Sequence, residues 1–372
     1  RLIQNALLSL HRWIPRKNLT IRPKLLILKF RKRSPDKNTA ADMVERLYGL
    51  KVRKIVELNS YDDKNFHVIC ERECDNPWIG EIPSDGYVLK ITNSLDSKKT
   101  SLFEGQTDLL IFLNDNKINS PLPIKNSKNQ YYSLESIDGG RDRYVVRLLT
   151  YVPGKLLYHV EISEELLVNV GQFTATIDEK LKKFHQPAYD ELGSLWMLKS
   201  VPKLRDFVYA VENEERRSMA MEIIDKFEED VIENIDKLET GIIHGDLNEQ
   251  NMLVNDKGDT VIAVLDLGDS QKSCLIFELA IAMCYMILKA KDIRKGKYFL
   301  QGYQRVRKPT EFEMKILKIS ICARLIQSLV LGAYSHLNDP ENAYILGTQK
   351  PGWAVLEELW PMDNEEVLRI WE

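Results

Sequence analysis

Three polar residues in the second half of the chain have the types and spacing that phosphoryl transfer requires. Asp246 and Asn251 lie in GIIHGDLNEQNMLV (241–254), and Asp266 follows an apolar run in VIAVLDLGD (261–269). Ile242 and Ile243 precede the polar cluster and Met252, Leu253 and Val254 follow it, so apolar anchors on both sides would hold the loop in place. A carboxylate in such a loop can orient or deprotonate an acceptor hydroxyl. An amide oxygen and a second carboxylate can hold Mg²⁺, a hard cation that prefers oxygen ligands, against nucleotide phosphates. His-Gly-Asp alone is a weak signal, because a loop Asp is usually a turn residue. Combined with the later Asn and with an apolar-apolar-Asp-x-Gly run, it is far more specific.

The elements around these residues divide the chain in two. Thr39 can cap a helix carrying Met43, Val44 and Leu47 on one face, with Gly49 to end it. KVRKIVEL (51–58) and NFHVIC (65–70) flank a polar turn and read as a hairpin, with YVLKI (87–91) as a further strand. Residues 99–113 have helical spacing, and QYYSL (130–134) and RYVVRLLTY (143–151) read as strands ending at Pro153-Gly154. Beyond that point 163–185, 195–210 and 213–238 are helical by period. The loop-and-strand stretch 241–267 follows, and apolar helices run to the end. The expectation is an α+β, bilobal architecture with a basic segment at 1–38, a small antiparallel-sheet lobe at 39–153 and a larger helical lobe at 154–372. A ligand cleft would lie between the lobes.

Composition narrows the class. The 372 residues are 44% hydrophobic and 29% charged, enough for a sizeable core. A net charge of −3 argues against a general nucleic-acid binder. Residues 1–35 hold ten Lys/Arg and no Asp/Glu, which leaves the remainder distinctly acidic. Five scattered cysteines form neither a disulfide framework nor a zinc site, which fits a reduced, cytoplasmic setting. The basic start has the composition of a mitochondrial transit peptide, and equally that of an incomplete or mis-started N-terminus, since the first residue is not Met. The apolar runs Leu275–Leu288 and Ile319–Tyr334, interrupted by Glu278 and Arg324, read as buried helices rather than membrane spans. Glu278 is expected to be a buried partner for a basic group or a cap.

The constellation HGDLNEQN…VLDLGD resembles the aminoglycoside phosphotransferase/choline kinase superfamily, relatives of the protein kinases. SYDDKNFHV (60–68), YVLKI (87–91), YVVRLLTYVPG (144–154), FELAIAMCYMI (277–287) and QSLVLGAYS (327–335) are most similar to the hydroxylysine kinases within it, over roughly residues 40–372. The resemblance implies a protein-kinase-like fold, with transfer of the γ-phosphoryl of GTP to the hydroxyl of 5-hydroxy-L-lysine. It implies Asp246 as the catalytic residue, Asn251 and Asp266 as Mg²⁺ ligands, and Lys90 on the α/β-phosphates with Glu104 as its ion-pair partner. Leu149–Val152 is similar to the hinge, where Thr150 and Val152 would offer backbone groups to the base. The glycine-rich phosphate loop of protein kinases has no counterpart in SYDDKNFH, so backbone amides and Asn65 are expected to meet the phosphates, and Lys64 could add charge. His244 is expected to support the loop. Asp269 is either an acidic contact for a cationic amino group of the acceptor or a turn carboxylate after Gly268. The competing readings are a kinase of another small amino alcohol (homoserine, choline, ethanolamine or an aminoglycoside) and a nucleotide-binding pseudokinase. The expected partners are a small amino-acid substrate and a nucleotide, with ATP as the alternative donor and neither nucleic acid nor membrane.

Overall fold

A computed structural model describes residues 35–58, 60, 63–137, 139–190, 193–338 and 349–372. The transit-peptide reading falls almost wholly outside these residues, as do Tyr61 and Asp62 of the expected phosphate loop. The first helix, α1 (Lys37–Tyr48), is capped by Asp36, whose carboxylate accepts from the Thr39 N–H at 2.8 Å. Thr39 is therefore inside the first turn and is not the cap. Gly49 ends the helix at φ 64°, the left-handed conformation that glycine adopts without steric cost.

Strands β1 (Leu50–Leu58) and β2 (Lys64–Cys74) form the expected antiparallel hairpin. In β2 the side chains alternate: Phe66, Val68 and Cys70 are buried, while Asn65, His67 and Ile69 share the other face. Strand β3 (Tyr87–Ile91) continues the sheet, followed by α2 (Thr100–Asp115), β4 (Pro123–Ile124), β5 (Ser133–Glu135) and β6 (Tyr144–Thr150). The sheet order is β1-β2-β3-β6-β4, with β5 also on β6, antiparallel throughout. Only Ser133 and Leu134 of the expected strand 130–134 join it.

The chain leaves this sheet through Tyr151–Gly154 and enters β7 (Lys155–Leu156) and α3 (Glu164–Leu181). Ser163 caps α3 on the Leu166 N–H at 3.0 Å, with Glu164 and Glu165 in the first turn, where the helix dipole favours negative charge. Residues expected to be helical at 195–210 instead form 3₁₀ turns at Leu198–Asp206 and Val208–Ala210. Pro202 sits inside that stretch and denies an α-helix one of its N–H donors. Helix α4 (Glu214–Asp230) leads to β8 (Thr240–Ile243), β9 (Met252–Val254), β10 (Val261–Val264) and β11 (Gln271–Cys274).

The remaining helices are α5 (Leu275–Ala290), α6 (Gly296–Gln304), α7 (Glu311–Asn338), α8 (Gln349–Leu359) and α9 (Asn364–Trp371). Thirteen of the sixteen residues of α5 are buried, as expected of a helix apolar on all sides. Helix α7 is long and apolar enough to cross a membrane, but 89% of its apolar window lies inside the protein. Helices α3 and α6 cross at reciprocal glycines. A Cβ on Gly171 would stand 2.0 Å from the Phe299 carbonyl oxygen, and one on Gly302 would stand 1.9 Å from that of Val168. The sheet and α1 enclose one apolar cluster and the helices enclose a larger one. Leu109, Leu110 and Leu113 of α2 belong to the helical cluster, so α2 ties the sheet to it.

Candidate active site

Strand pairing brings the polar residues together. In the β9/β10 ladder Met252 faces Val264, and the register runs on by one residue: Leu265 N–H donates to the Asn251 carbonyl at 2.8 Å. Asn251 therefore lies beside the residue preceding Asp266. On the other side, β8 pairs with β11, Ile243 opposite Gln271. Gly245 has φ 81°, and a Cβ there would lie 2.5 Å from the Asp269 carbonyl oxygen. Only glycine lets the loop after β8 lie this close to Asp269.

His244 supports the loop, as expected. Its Nδ1 accepts from the Asp246 N–H at 3.3 Å, so Nε2 carries the proton and donates to the Leu265 carbonyl at 2.8 Å. Burial lowers its pKa, which keeps it neutral. Glu278, wholly buried on α5, accepts from the backbone N–H groups of His244 and Gly245, the latter at 3.1 Å. It caps the loop and does not partner a base, and burial raises its carboxyl well above the ordinary range. Oδ2 of Asp246 accepts from Asn248 at 2.9 Å and from Asn251 at 3.1 Å, and its Oδ1 accepts from Arg324 of α7 at 2.8 Å. Burial raises the Asp246 carboxyl against the pull of the Arg324 guanidinium.

The sheet contributes Lys90. In register across β2, β3 and β6, Asn65, Lys90 and Arg147 stand side by side on one face. Lys90 reaches across to Asp266, Nζ to Oδ1 2.9 Å. Lys90 is the main cause of an Asp266 carboxyl pKa held down at about 2. Asp266 has φ 52°, a left-handed conformation, and its Oδ1 also accepts from the Gly268 N–H at 3.3 Å. Oδ1 of Asn65 is buried with no hydrogen-bond partner among the described residues. Asp63 accepts from the Asn93 N–H at 3.2 Å and from Thr92 at 3.4 Å, and burial raises its carboxyl against the pull of the nearby Lys90. Lys64 pairs with Glu57, so its charge is engaged on the sheet.

One expected placement needs correction, and the backbone groups at the hinge can be narrowed. Glu104 does not meet Lys90. It is exposed, and it accepts from the Tyr132 hydroxyl at 3.3 Å beside a surface cavity of about 490 Å³. The α2 residue facing the sheet is Gln106, which accepts from Arg147 at 2.8 Å and donates to the Gly268 carbonyl at 3.4 Å. At the hinge, Thr150 N–H donates to the Leu122 carbonyl and Tyr151 N–H to that of Gly86. The backbone N–H groups of Thr150 and Tyr151 are therefore engaged within the protein and are not available to a base.

Asp269 lies in the same cleft. Burial, then the charges of Asp246 and Asp266, push its carboxyl up to about 7. The donor set suits a hard divalent cation. Asn251 directs its amide nitrogen at Asp246, which leaves its oxygen for another partner, and Asp266 is ionised at any ordinary pH. No cluster of three or more His, Cys, Asp or Glu is placed to hold a metal among the described residues. Two oxygen ligands completed by phosphates are what Mg²⁺ accepts.

The sequence reading missed Arg324 as part of the site. Its guanidinium stands 5.6 Å from the Trp196 ring and 5.4 Å from the Tyr285 ring, and it bonds Gln327 at 2.9 Å. The available signal was a charge interrupting the apolar run 319–334, since buried charges are held by partners.

A sheet lobe delivering a lysine, a helical lobe delivering an Asp–Asn loop and a second Asp between them describe a phosphotransferase. Residues 76–315 match the phosphotransferase enzyme family (APH), and the chain belongs to that family, whose members here act on a hydroxyl acceptor. It is 36% identical over 349 residues to hydroxylysine kinase of Bos taurus, covering 89% of this chain and 91% of that protein. Among solved structures, a microcompartment-associated aminopropanol kinase superposes with a TM-score of 0.68 at 14% identity, covering 90% of this chain and all of that one. An amicoumacin kinase in complex with AMP-PNP, Ca²⁺ and Ami superposes with a TM-score of 0.66 at 15% identity, covering 90% of this chain and 97% of that one. The expected protein-kinase-like α+β fold is the fold observed.

Proposed function

We propose that this phosphotransferase moves the γ-phosphoryl of GTP to the hydroxyl of 5-hydroxy-L-lysine. The observation that carries the reading is the convergence of Lys90, Asp246, Asn251 and Asp266 on one cleft, joined by the Lys90–Asp266 ion pair and the Asn251–Leu265 backbone bond. The similarity to hydroxylysine kinase over most of both chains supports the acceptor.

In this reading the nucleotide lies between the lobes with its base at Val152. Lys90 holds the phosphates from above, and Asn65 lies beside it in register. Mg²⁺ would be held by Asn251 and Asp266, where it would neutralise phosphate charge. Asp246, fixed on both oxygens, accepts the hydrogen bond of the acceptor hydroxyl and orients its oxygen for in-line attack. It takes the proton as the new P–O bond forms and the bond from the γ-phosphorus to the β–γ bridging oxygen breaks, releasing GDP. Asp269 faces the acceptor. An ammonium group beside it would restore its ionised form by cancelling the repulsion of Asp246 and Asp266.

The test is nucleotide turnover with Mg²⁺, comparing GTP and ATP across 5-hydroxylysine, lysine, homoserine, choline and ethanolamine. GTP consumption that requires hydroxylysine, with lysine inert, is the expected result. Turnover with another alcohol keeps the site roles and replaces the acceptor.

A further inference from the structure

The turn Asp266–Gly268 is tied to the sheet lobe by the Lys90–Asp266 ion pair and by Gln106 of α2. Gln106 is 3% exposed, and both ends of its amide are engaged. Its oxygen accepts from Arg147 Nη1 at 2.8 Å, and its nitrogen donates to the Gly268 carbonyl at 3.4 Å. The N–H of the same Gly268 donates to Asp266 Oδ1 at 3.3 Å. Arg147 is itself fixed: it is buried, in register beside Lys90, with its guanidinium 4.7 Å from the Phe103 ring. A continuous series of hydrogen bonds therefore runs from β6 through α2 to the carboxylate of Asp266.

The two ties differ in what a filled site does to them. Lys90 and Asp266 are both ligand-binding groups in the reading above, so phosphate and Mg²⁺ compete with their ion pair. Gln106 meets neither ligand, and its bond to the turn persists. The turn needs such a hold, because Asp266 has φ 52°, a left-handed conformation that the surroundings must impose on a residue with a Cβ. The amide suits the position because it carries both an acceptor for Arg147 and a donor for the carbonyl. A glutamate would turn a lone pair towards the Gly268 oxygen. We infer that Gln106 is a positioning residue for the divalent metal: it holds the Asp266–Gly268 turn in the shape that presents the Asp266 carboxylate, and so links the seating of α2 to metal affinity. This rests on the reading of Asp266 as a metal ligand.

The test measures the affinity of the full chain for GMP-PNP and AMP-PNP by calorimetry, in Mg²⁺ and in EDTA, for the wild type, Gln106→Met and Gln106→Glu. The wild type should bind its preferred nucleotide more tightly in Mg²⁺. Gln106→Met removes both bonds at similar volume. It should lose about 10–100-fold of that Mg²⁺-dependent gain, the usual effect of removing a group that orients a metal ligand, with affinity in EDTA unchanged. Gln106→Glu keeps the acceptor for Arg147, which guards against a first variant that fails to fold. Its added charge would by itself attract Mg²⁺, so a smaller gain in this variant reports the lost bond to Gly268. A folded variant that keeps the full Mg²⁺ gain overturns the inference and leaves the metal reading intact. Loss of affinity in the same proportion with and without Mg²⁺ also overturns it, because a purely structural role would do that. A wild type indifferent to Mg²⁺ overturns the metal role of Asp266, and the inference with it.

Discussion

Lys90 and Asp266, 176 positions apart in the chain, form a 2.9 Å ion pair that closes the site between the sheet and the helical lobe. The lysine is nearly buried and the aspartate is half-exposed, so the pair sits at the mouth of the cleft and not within the core. Replacing Lys90 by Met should lower kcat/KM by roughly 10²–10³-fold, the effect of losing one well-placed charge donor. The fold should survive. Steady-state kinetics with circular dichroism as the folding control will check this, and near-wild-type turnover would rule out a phosphate-binding role.

Asp246 carries two separable functions, orientation of the acceptor and neutralisation of Arg324. Asp246→Asn should cut kcat by about 10²–10⁴-fold while nucleotide affinity stays unchanged. Asp246→Ala should add a stability loss of roughly 3 kcal/mol, because it leaves the buried guanidinium without its counter-ion. Chemical denaturation of the wild type and both variants separates these effects, and an Asp246→Ala protein as stable as the wild type would show that the pair contributes nothing to folding.

Glu278 holds the loop through one oxygen that serves two backbone donors. Glu278→Ala should cost about 2–4 kcal/mol by leaving both N–H groups unsatisfied, and it should lower kcat as the loop loosens. Glu278→Gln retains an acceptor and should restore most of both. Equal damage from Gln and Ala would mean that the charge matters and the hydrogen bonds do not.

Asp178 on α3 is wholly buried and accepts from the Tyr303 hydroxyl at 2.6 Å. Burial raises its carboxyl to about 7, against the pull of that hydrogen bond. Between the unfolded value near 4 and about 7, the folded state keeps a proton that the unfolded chain has released. Stability from this group is therefore complete at low pH and is lost as pH rises through 7. Asp178→Asn should remove this dependence, so its stability relative to wild type should improve from pH 5 to pH 8. Urea denaturation at both values tests the sign, and parallel behaviour of the two proteins would exclude Asp178 as the source.

Much of the site was legible because its determinants are local. Asp246 and Asn251 share one loop between apolar anchors, and the β9/β10 register that seats Asn251 beside Leu265 follows from two short apolar runs and the turn between them. Gly49 and the hairpin of β1 and β2 were likewise visible in turn chemistry and alternation. The misreadings came from phase and competition. Glu104 and Gln106 differ by two positions, about 200° around a helix at 3.6 residues per turn, and spacing alone does not say which side meets the sheet. The stretch 195–210 has helical periodicity, but Pro202 and its packing favour 3₁₀ turns.

The chemistry is written in short segments, which carry the residue types, their order and the strands that hold them. Tertiary structure decided the pairings. Arg324 meets Asp246 across 78 positions, Gln106 meets Arg147 across 41, and Lys90 meets Asp266 rather than Glu104. Such contacts depend on how helices rotate and pack against the sheet, where side chains distant in the chain compete for the same buried partners. That competition is resolved by burial and charge together in the assembled core, so no local pattern records its outcome.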